Sequence, residues 1–258
     1  MLNVRNLTVN LGRQTILENL TLTAQVGQIT AVVGPSGAGK STLLAALTGD
    51  LSFDGSVTLN GHDIARTSTT RLAEIRAVLP QATPMSFPFT VLEVVRMGRI
   101  HKTMNNRMAS EALTRVGLHG FEGRFYQELS GGEQQRVQLA RVLVQVWEPV
   151  AQGSSRWLFL DEPVSSLDIG HQLQVMRIIQ DFAVRGGGVV MVMHDLNLTA
   201  MCADSVILLS NKMVMHQGSP RDTFRDDLLS SAYGCKIAVN RAPEDGMFLL
   251  PQVACAAS

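Results

Sequence analysis

Cysteine is scarce in this chain: Cys202, Cys235 and Cys255 are the only three among 258 residues, odd in number and widely spaced. That count argues against a disulfide framework or a cysteine metal site, and it suits reduced thiols in the cytoplasm. Net charge is also missing, since 22 Lys and Arg balance 22 Asp and Glu. A broad electrostatic footprint for nucleic acid is thereby excluded, although local basic patches stay open. No uninterrupted apolar stretch approaches the roughly 18 to 20 residues of a spanning helix. The opening MLNVRN has no signal-peptide core, so any membrane role is expected to come through a partner. There is no internal repeat and there are no long heptad arms. What the chain does have is a 45% hydrophobic content, enough for a large core in one α/β domain or two lobes.

Against that background, four nucleotide-handling motifs stand in order. The first is GPSGAGKS at residues 34–41, preceded by the β-branched apolar run ITAVV and followed by the helix-forming STLLAALT. Strand, glycine-rich loop and helix are the order a phosphate site requires. Gly34, Gly37 and Gly39, with Pro35, Ser36 and Ala38 between them, let backbone N–H groups turn inward around a β-phosphate, and the helix start adds its dipole. Lys40 is expected to reach the β- and γ-phosphates, and Ser41, beside Thr42, to take a place on Mg²⁺.

A second apolar strand, WLFL at 157–160, ends in Asp161 and Glu162 before Pro163. Neighbours on an extended chain point to opposite sides, which allows two roles. Asp161 is assigned to the Mg²⁺ shell and Glu162 to polarising the attacking water. A third strand, VVMVM at 189–193, delivers His194 to the same edge, where an imidazole can bond a γ-phosphate oxygen; the competing reading is a cap for the next helix. Met191, Met193, Met213 and Met215 alternate along strands and read as packing faces. LSGGEQQR at 129–136 contains a capping box, Ser130 with Glu133, opening a helix over 133–146. The cap leaves Gly131 and Gly132 unexplained, because glycine costs on the order of 1 kcal/mol against alanine inside a helix. Close approach of backbone to an anion accounts for them better.

LSGGEQQR resembles the signature motif of ATP-binding cassette (ABC) ATPases, and the resemblance spans residues 1 to about 240. It implies an α/β fold of the P-loop NTPase type: a RecA-like core sheet with an antiparallel β subdomain (1–84 and 148–240), an inserted helical subdomain (85–147) and a tail (241–258). It also implies that two copies pair head to tail, so that Ser130, Gly131 and Gly132 of one contact the γ-phosphate held by the other. Gln81 matches the glutamine that touches Mg²⁺ and the water and relays closure to a membrane subunit, and SSLD at 165–168 matches the loop crossing the dimer interface. ATP and Mg²⁺ are the implied cofactors. The implied partners are a second copy, a transmembrane permease dimer and, indirectly, a periplasmic binding protein, at the cytoplasmic face of a bacterial inner membrane. One departure stands at Leu11, where the family usually has an aromatic for the adenine.

The segment from Pro80 to His101 resembles the importers of cobalamin, ferric siderophores and haem, with Ile100 replacing a proline. Phe87, Pro88 and Phe89 are expected to form a docking surface for a permease helix. The residues between Trp147 and Trp157, with DIGHQ at 168–172 and the tail motif YGCK at 233–236, are similar to the ATPases of bacterial haem importers. Siderophore or cobalamin import, and a soluble cassette of iron–sulfur assembly, stay open beside haem. His62, His101, His119, His171 and His216 are not read as haem ligands, since the family's ATPase does not meet the cargo.

Overall fold

The computed structural model describes residues 1–81, 85, 87–98, 106–249 and 251; Arg99, Ile100, His101 and Cys255 lie outside them. The chain opens with β1 (Leu2–Leu11) and β2 (Gln14–Ala24), then β3 (Ile29–Val33) and α1 (Lys40–Thr48). β4 (Asp54–Leu59) and β5 (His62–Asp63) form a hairpin whose two turn residues, Asn60 and Gly61, both have positive φ, as a twisted two-residue turn requires. α2 (Thr69–Ile75) and β6 (Arg76–Leu79) lead to three helices, α3 (Val91–Arg96), α4 (Asn106–Arg115) and α5 (Gly131–Gln145). A small hairpin, β7 (Val150–Ala151) and β8 (Ser154–Ser155), precedes β9 (Trp157–Asp161). The rest runs α6 (Ile169–Val184), β10 (Gly188–Val192), α7 (Leu196–Cys202), β11 (Ser205–Ser210), β12 (Met213–Gly218), α8 (Pro220–Thr223) and α9 (Asp226–Tyr233).

The strands make two principal sheets. One is antiparallel, in the order β2-β1-β4-β5; the other runs β12-β11-β3-β10-β9-β6, parallel except for the edge strand β12. In β3, β9 and β10 every residue is buried, as expected for parallel strands covered on both faces. Their side chains divide by parity. Val32, Phe159, Val190 and Val192 join the core shared with α1 and the antiparallel sheet, while Ala31, Leu158, Leu160, Val189 and Met191 join the core beneath α3–α7. Two fully packed faces leave the strand ends as the place for polar chemistry.

The stretch between Trp147 and Trp157 folds into the β7–β8 hairpin, and Asn60 ties it down. Its Nδ2 donates to the Ser155 carbonyl at 2.6 Å, and its Oδ1 accepts from Trp157 Nε1 at 3.0 Å. Met191 and Met193 pack as the alternation suggests, but Met213 is 53% exposed, because β12 is an edge strand with one open face. No helix among the described residues is long and apolar enough to cross a membrane.

Candidate nucleotide site

Three strand ends line up. Val32, Val192 and Asp161 are register partners across β3, β10 and β9, so the chain leaves the sheet at Gly34, His194 and Glu162 along one edge. At Gly34 a side chain has no room: a Cβ there would lie 2.0 Å from the Leu209 carbonyl oxygen of β11. The loop then passes through Gly37 and Gly39, both with positive φ, and Gly39 starts α1 in a left-handed conformation. No side chain caps that helix start and no acid stands in its first turn. Such a start favours an external anion.

Lys40 is 6% exposed, and its Nζ donates to the Gly34 and Pro35 carbonyls, at 2.9 Å each. Burial lowers its pKa, while the carboxylates of Glu162 and Asp161 oppose the shift. The ammonium therefore bonds the loop's own carbonyls within the same acidic neighbourhood as β9.

Asp161 is 7% exposed, and its Oδ1 has no hydrogen-bond partner. Burial raises its pKa, with the Ser41 hydroxyl opposing and the neighbouring Glu162 charge adding to the rise. A buried, under-coordinated carboxylate beside a hydroxyl is a donor set suited to an oxygen-preferring cation such as Mg²⁺. Glu162, the next residue, does not continue the strand. Its φ is +49°, a left-handed conformation costing a non-glycine residue about 1 kcal/mol. The extended-chain account of the two carboxylates is corrected accordingly: a turn, not pleating, separates them. Three donors hold the Glu162 carbonyl, namely Gln135 Nε2 at 2.7 Å, Ser165 Oγ at 3.3 Å and the Ser165 amide at 3.4 Å.

The Glu162 side chain meets His194, with Oε1 2.5 Å from Nε2. The helix-cap role belongs to the next residue, since Asp195 accepts from the Leu198 amide at 2.9 Å to start α7. Lys40, Ser41, Asp161, Glu162 and His194 thus share one neighbourhood. Gln81 is exposed beyond the end of β6, and no hydrogen bond among the described residues joins it to Ser41 or Asp161.

Ser130, Gly131 and Gly132 stand apart from this group. Ser130 caps α5, with Oγ accepting from the Glu133 amide at 3.3 Å while the Glu133 carboxylate accepts from the Ser130 amide at 2.8 Å. The bonds from the Ser130 amide and hydroxyl to its carboxylate lower the Glu133 pKa. The helix starts at Gly131, two residues earlier than the pattern suggests. The two glycines also separate: a Cβ on Gly132 would lie 2.9 Å from the Ser166 carbonyl oxygen, whereas one on Gly131 would meet nothing within 4 Å. Contact within the chain accounts for Gly132, whereas no described residue crowds Gly131. These residues line a cleft of about 470 Å³ with Ser166, Asp168 and His171, and no residue of the 34–41 loop lines it.

Sequence reasoning missed two residues at this edge. Gln135 carries no signal beyond its place in LSGGEQQR. Tyr233, singled out only as part of a tail motif, reaches the phosphate loop from α9: burial raises its phenol pKa and a bond with the Gly34 backbone opposes the rise. Leu11 is 48% exposed at the end of β1. Phe87 is 68% exposed and Phe89 partly buried beside it, with ring centroids 6.1 Å apart. A larger cleft, about 750 Å³, lies between α7, α9 and residues 237–249, and none of the motif residues lines it.

Comparison with known proteins gives a consistent result. The family model described as ABC transporter matches residues 17–165. The hemin import ATP-binding protein HmuV of Jannaschia sp. (strain CCS1) is 57% identical over 257 residues, covering 98% of this chain and 95% of that protein. Its counterpart in Mesorhizobium japonicum (strain LMG 29417 / CECT 9101 / MAFF 303099) is 49% identical, covering 98% of each. Among solved structures, the ATP binding subunit of an ABC transporter superposes with a TM-score of 0.77 at 21% identity, covering 90% of this chain and 95% of that one. A nucleotide-free ATP-binding cassette gives 0.74 at 22% identity, covering 85% and 91%. At those identities the likeness is one of fold.

Proposed function

Because the chain belongs to the ABC transporter family, whose ATPase subunits bind ATP and work with transmembrane permeases, we propose that it is the ATP-hydrolysing subunit that powers import of hemin in a bacterium. The cargo reading rests on the near-full-length identity to hemin import ATP-binding proteins. The hydrolysis reading rests on the meeting of Lys40, Asp161, Glu162 and His194 at one sheet edge.

In this reading the 34–41 loop receives the triphosphate, and Lys40 exchanges the Gly34 and Pro35 carbonyls for β- and γ-phosphate oxygens. Thr42 follows Ser41 in the first turn of α1 and lends its amide to the phosphates. Ser41 and Asp161, with Gln81, are the residues that would hold Mg²⁺. Such a cation would supply charge that stabilises the phosphoryl group in transit. Glu162 orients a water and takes its proton as the water oxygen bonds to the γ-phosphorus and the bond to the β-phosphate oxygen breaks. His194 leaves Glu162 to donate to a γ-phosphate oxygen. A second copy, packed head to tail, brings its Ser130, Gly131 and Gly132 to the same γ-phosphate. Closure of that pair moves α3–α5 against a permease dimer at the cytoplasmic face of the inner membrane, with a periplasmic binding protein delivering the cargo on the other side. Phe87 and Phe89 form part of the docking surface.

The test is reconstitution with the co-encoded permease in lipid. ATP hydrolysis is expected to rise with hemin-loaded binding protein and to fall at least about a hundredfold in Glu162→Gln, with ATP binding retained. Stimulation by a siderophore or cobalamin carrier instead would keep the machine and replace the cargo. Near-normal turnover in Glu162→Gln would remove Glu162 from its role.

A further inference from the structure

We propose that Gln135 is a positioning residue for ATP hydrolysis, acting within its own chain by fixing both the backbone turn at Glu162 and the 165–168 loop. The inference rests on the reading of Glu162 given above. Both ends of the Gln135 amide are committed: Nε2 donates to the Glu162 carbonyl at 2.7 Å, and Oε1 accepts from the Ser166 amide at 3.2 Å. Glu162 has a left-handed backbone, which persists only where its surroundings hold it. Of the donors on its carbonyl, the Ser165 pair is local and longer, while Gln135 comes from another element and makes the shortest contact. One turn earlier on α5, Gly132 packs against the Ser166 carbonyl, so the helix start and the 165–168 loop touch twice. A displacement of α5 that moves Gln135 is thereby felt at the turn that aims the Glu162 carboxylate at His194.

The chemistry singles out glutamine, because the site requires a donor and an acceptor on one planar group at this reach. Glutamate keeps the shape and the acceptor but donates only when protonated. Methionine keeps the approximate shape and does neither. The charged groups on the elements around the amide are Glu133 and Arg136 on α5, Glu162 and His194 at the strand ends, and Asp168 and His171 after the loop.

The experiment uses the permease complex in lipid and measures kcat and KM for ATP from about pH 6 to about pH 8. Gln135→Glu is expected to lose roughly tenfold in kcat at the alkaline end, the size of one hydrogen bond, with KM within about twofold of wild type. Its kcat relative to wild type should climb as the pH falls, since a carboxyl group held protonated beside Glu162 donates to that carbonyl again. Gln135→Met should lose a similar factor that does not vary with pH. The ratio for Gln135→Glu is taken within one preparation, so partial misfolding does not imitate the recovery. Wild-type kcat in Gln135→Glu at the alkaline end, a loss that appears in KM, or the same pH-independent loss in both variants would each overturn the proposal. Glu162→Gln runs alongside: if that variant hydrolyses ATP normally, it is the reading of Glu162 that falls.

Discussion

Helix α1 starts at a left-handed glycine with no capping side chain and no acid in its first turn, while α5 starts at Ser130 inside a closed capping box with Glu133. Both starts belong to motifs suited to phosphate, yet one exposes its dipole end and the other has already supplied itself with a carboxylate. The surroundings differ in the same sense. Beside α1, Asp161 is buried with an unpartnered oxygen and its pKa is raised; beside α5, one Glu133 oxygen accepts two bonds from Ser130 and its pKa is lowered. The first region leaves a buried carboxylate oxygen and a helix start without partners among the described residues. The second is capped from within its own chain.

The comparison breaks most severely at Lys40. Lys40→Ala should weaken ATP binding at least about tenfold, measured with a fluorescent nucleotide on the isolated subunit. Ser130→Ala in the same assay should leave binding nearly unchanged, because its cleft is separate from the 34–41 loop. A matching loss in both variants would erase the distinction.

Asp161→Asn should abolish hydrolysis yet raise the melting temperature of the nucleotide-free protein by about 2 °C, as relief of roughly 1 kcal/mol of burial strain. The pH dependence carries a sign. A carboxyl whose folded pKa is raised adds stability as pH falls from that value toward the ordinary 3.8, and the asparagine variant lacks this gain. Glu133 runs the other way: its contribution is present above about 4.5 and is lost as pH falls through its lower folded value. Ser130→Ala removes the cap and should cost about 1 kcal/mol in chemical denaturation, with a weaker acid dependence. Smallest of all, Leu11→Tyr should tighten ATP binding by a few-fold at most, since a stacked ring contributes about 1 kcal/mol in open surroundings.

Motifs made of adjacent residues were legible before the fold: the strand, loop and helix around 34–41, the apolar strand ending at Asp161, and the Ser130–Glu133 box all depend on local periodicity and spacing. Strand order was not, although Glu162 and His194 were expected at one edge. Nothing in ITAVV, WLFLD or VVMVM states that β10 lies between β3 and β9, and that order is what brings His194 to Glu162. The left-handed turn at Glu162 was hidden as well, because glutamate gives no hint of positive φ and the bond that holds it comes from Gln135, 27 residues earlier. Met213 shows the same boundary from the other side: alternation predicts a packed face, but sequence does not say which strand lies at an edge.

The posture of Lys40 bears on how nucleotide arrives. Its two bonds to Gly34 and Pro35 mean that loading is an exchange of partners rather than the filling of a waiting hole. On the proposed reading, a ligand with one phosphate should compete poorly, having few oxygens left for the loop amides once it has displaced both carbonyls, whereas a triphosphate should replace those contacts and still reach the amides at the head of α1. On that reading, a single lysine is expected to make the chain discriminate by the length of the phosphate tail.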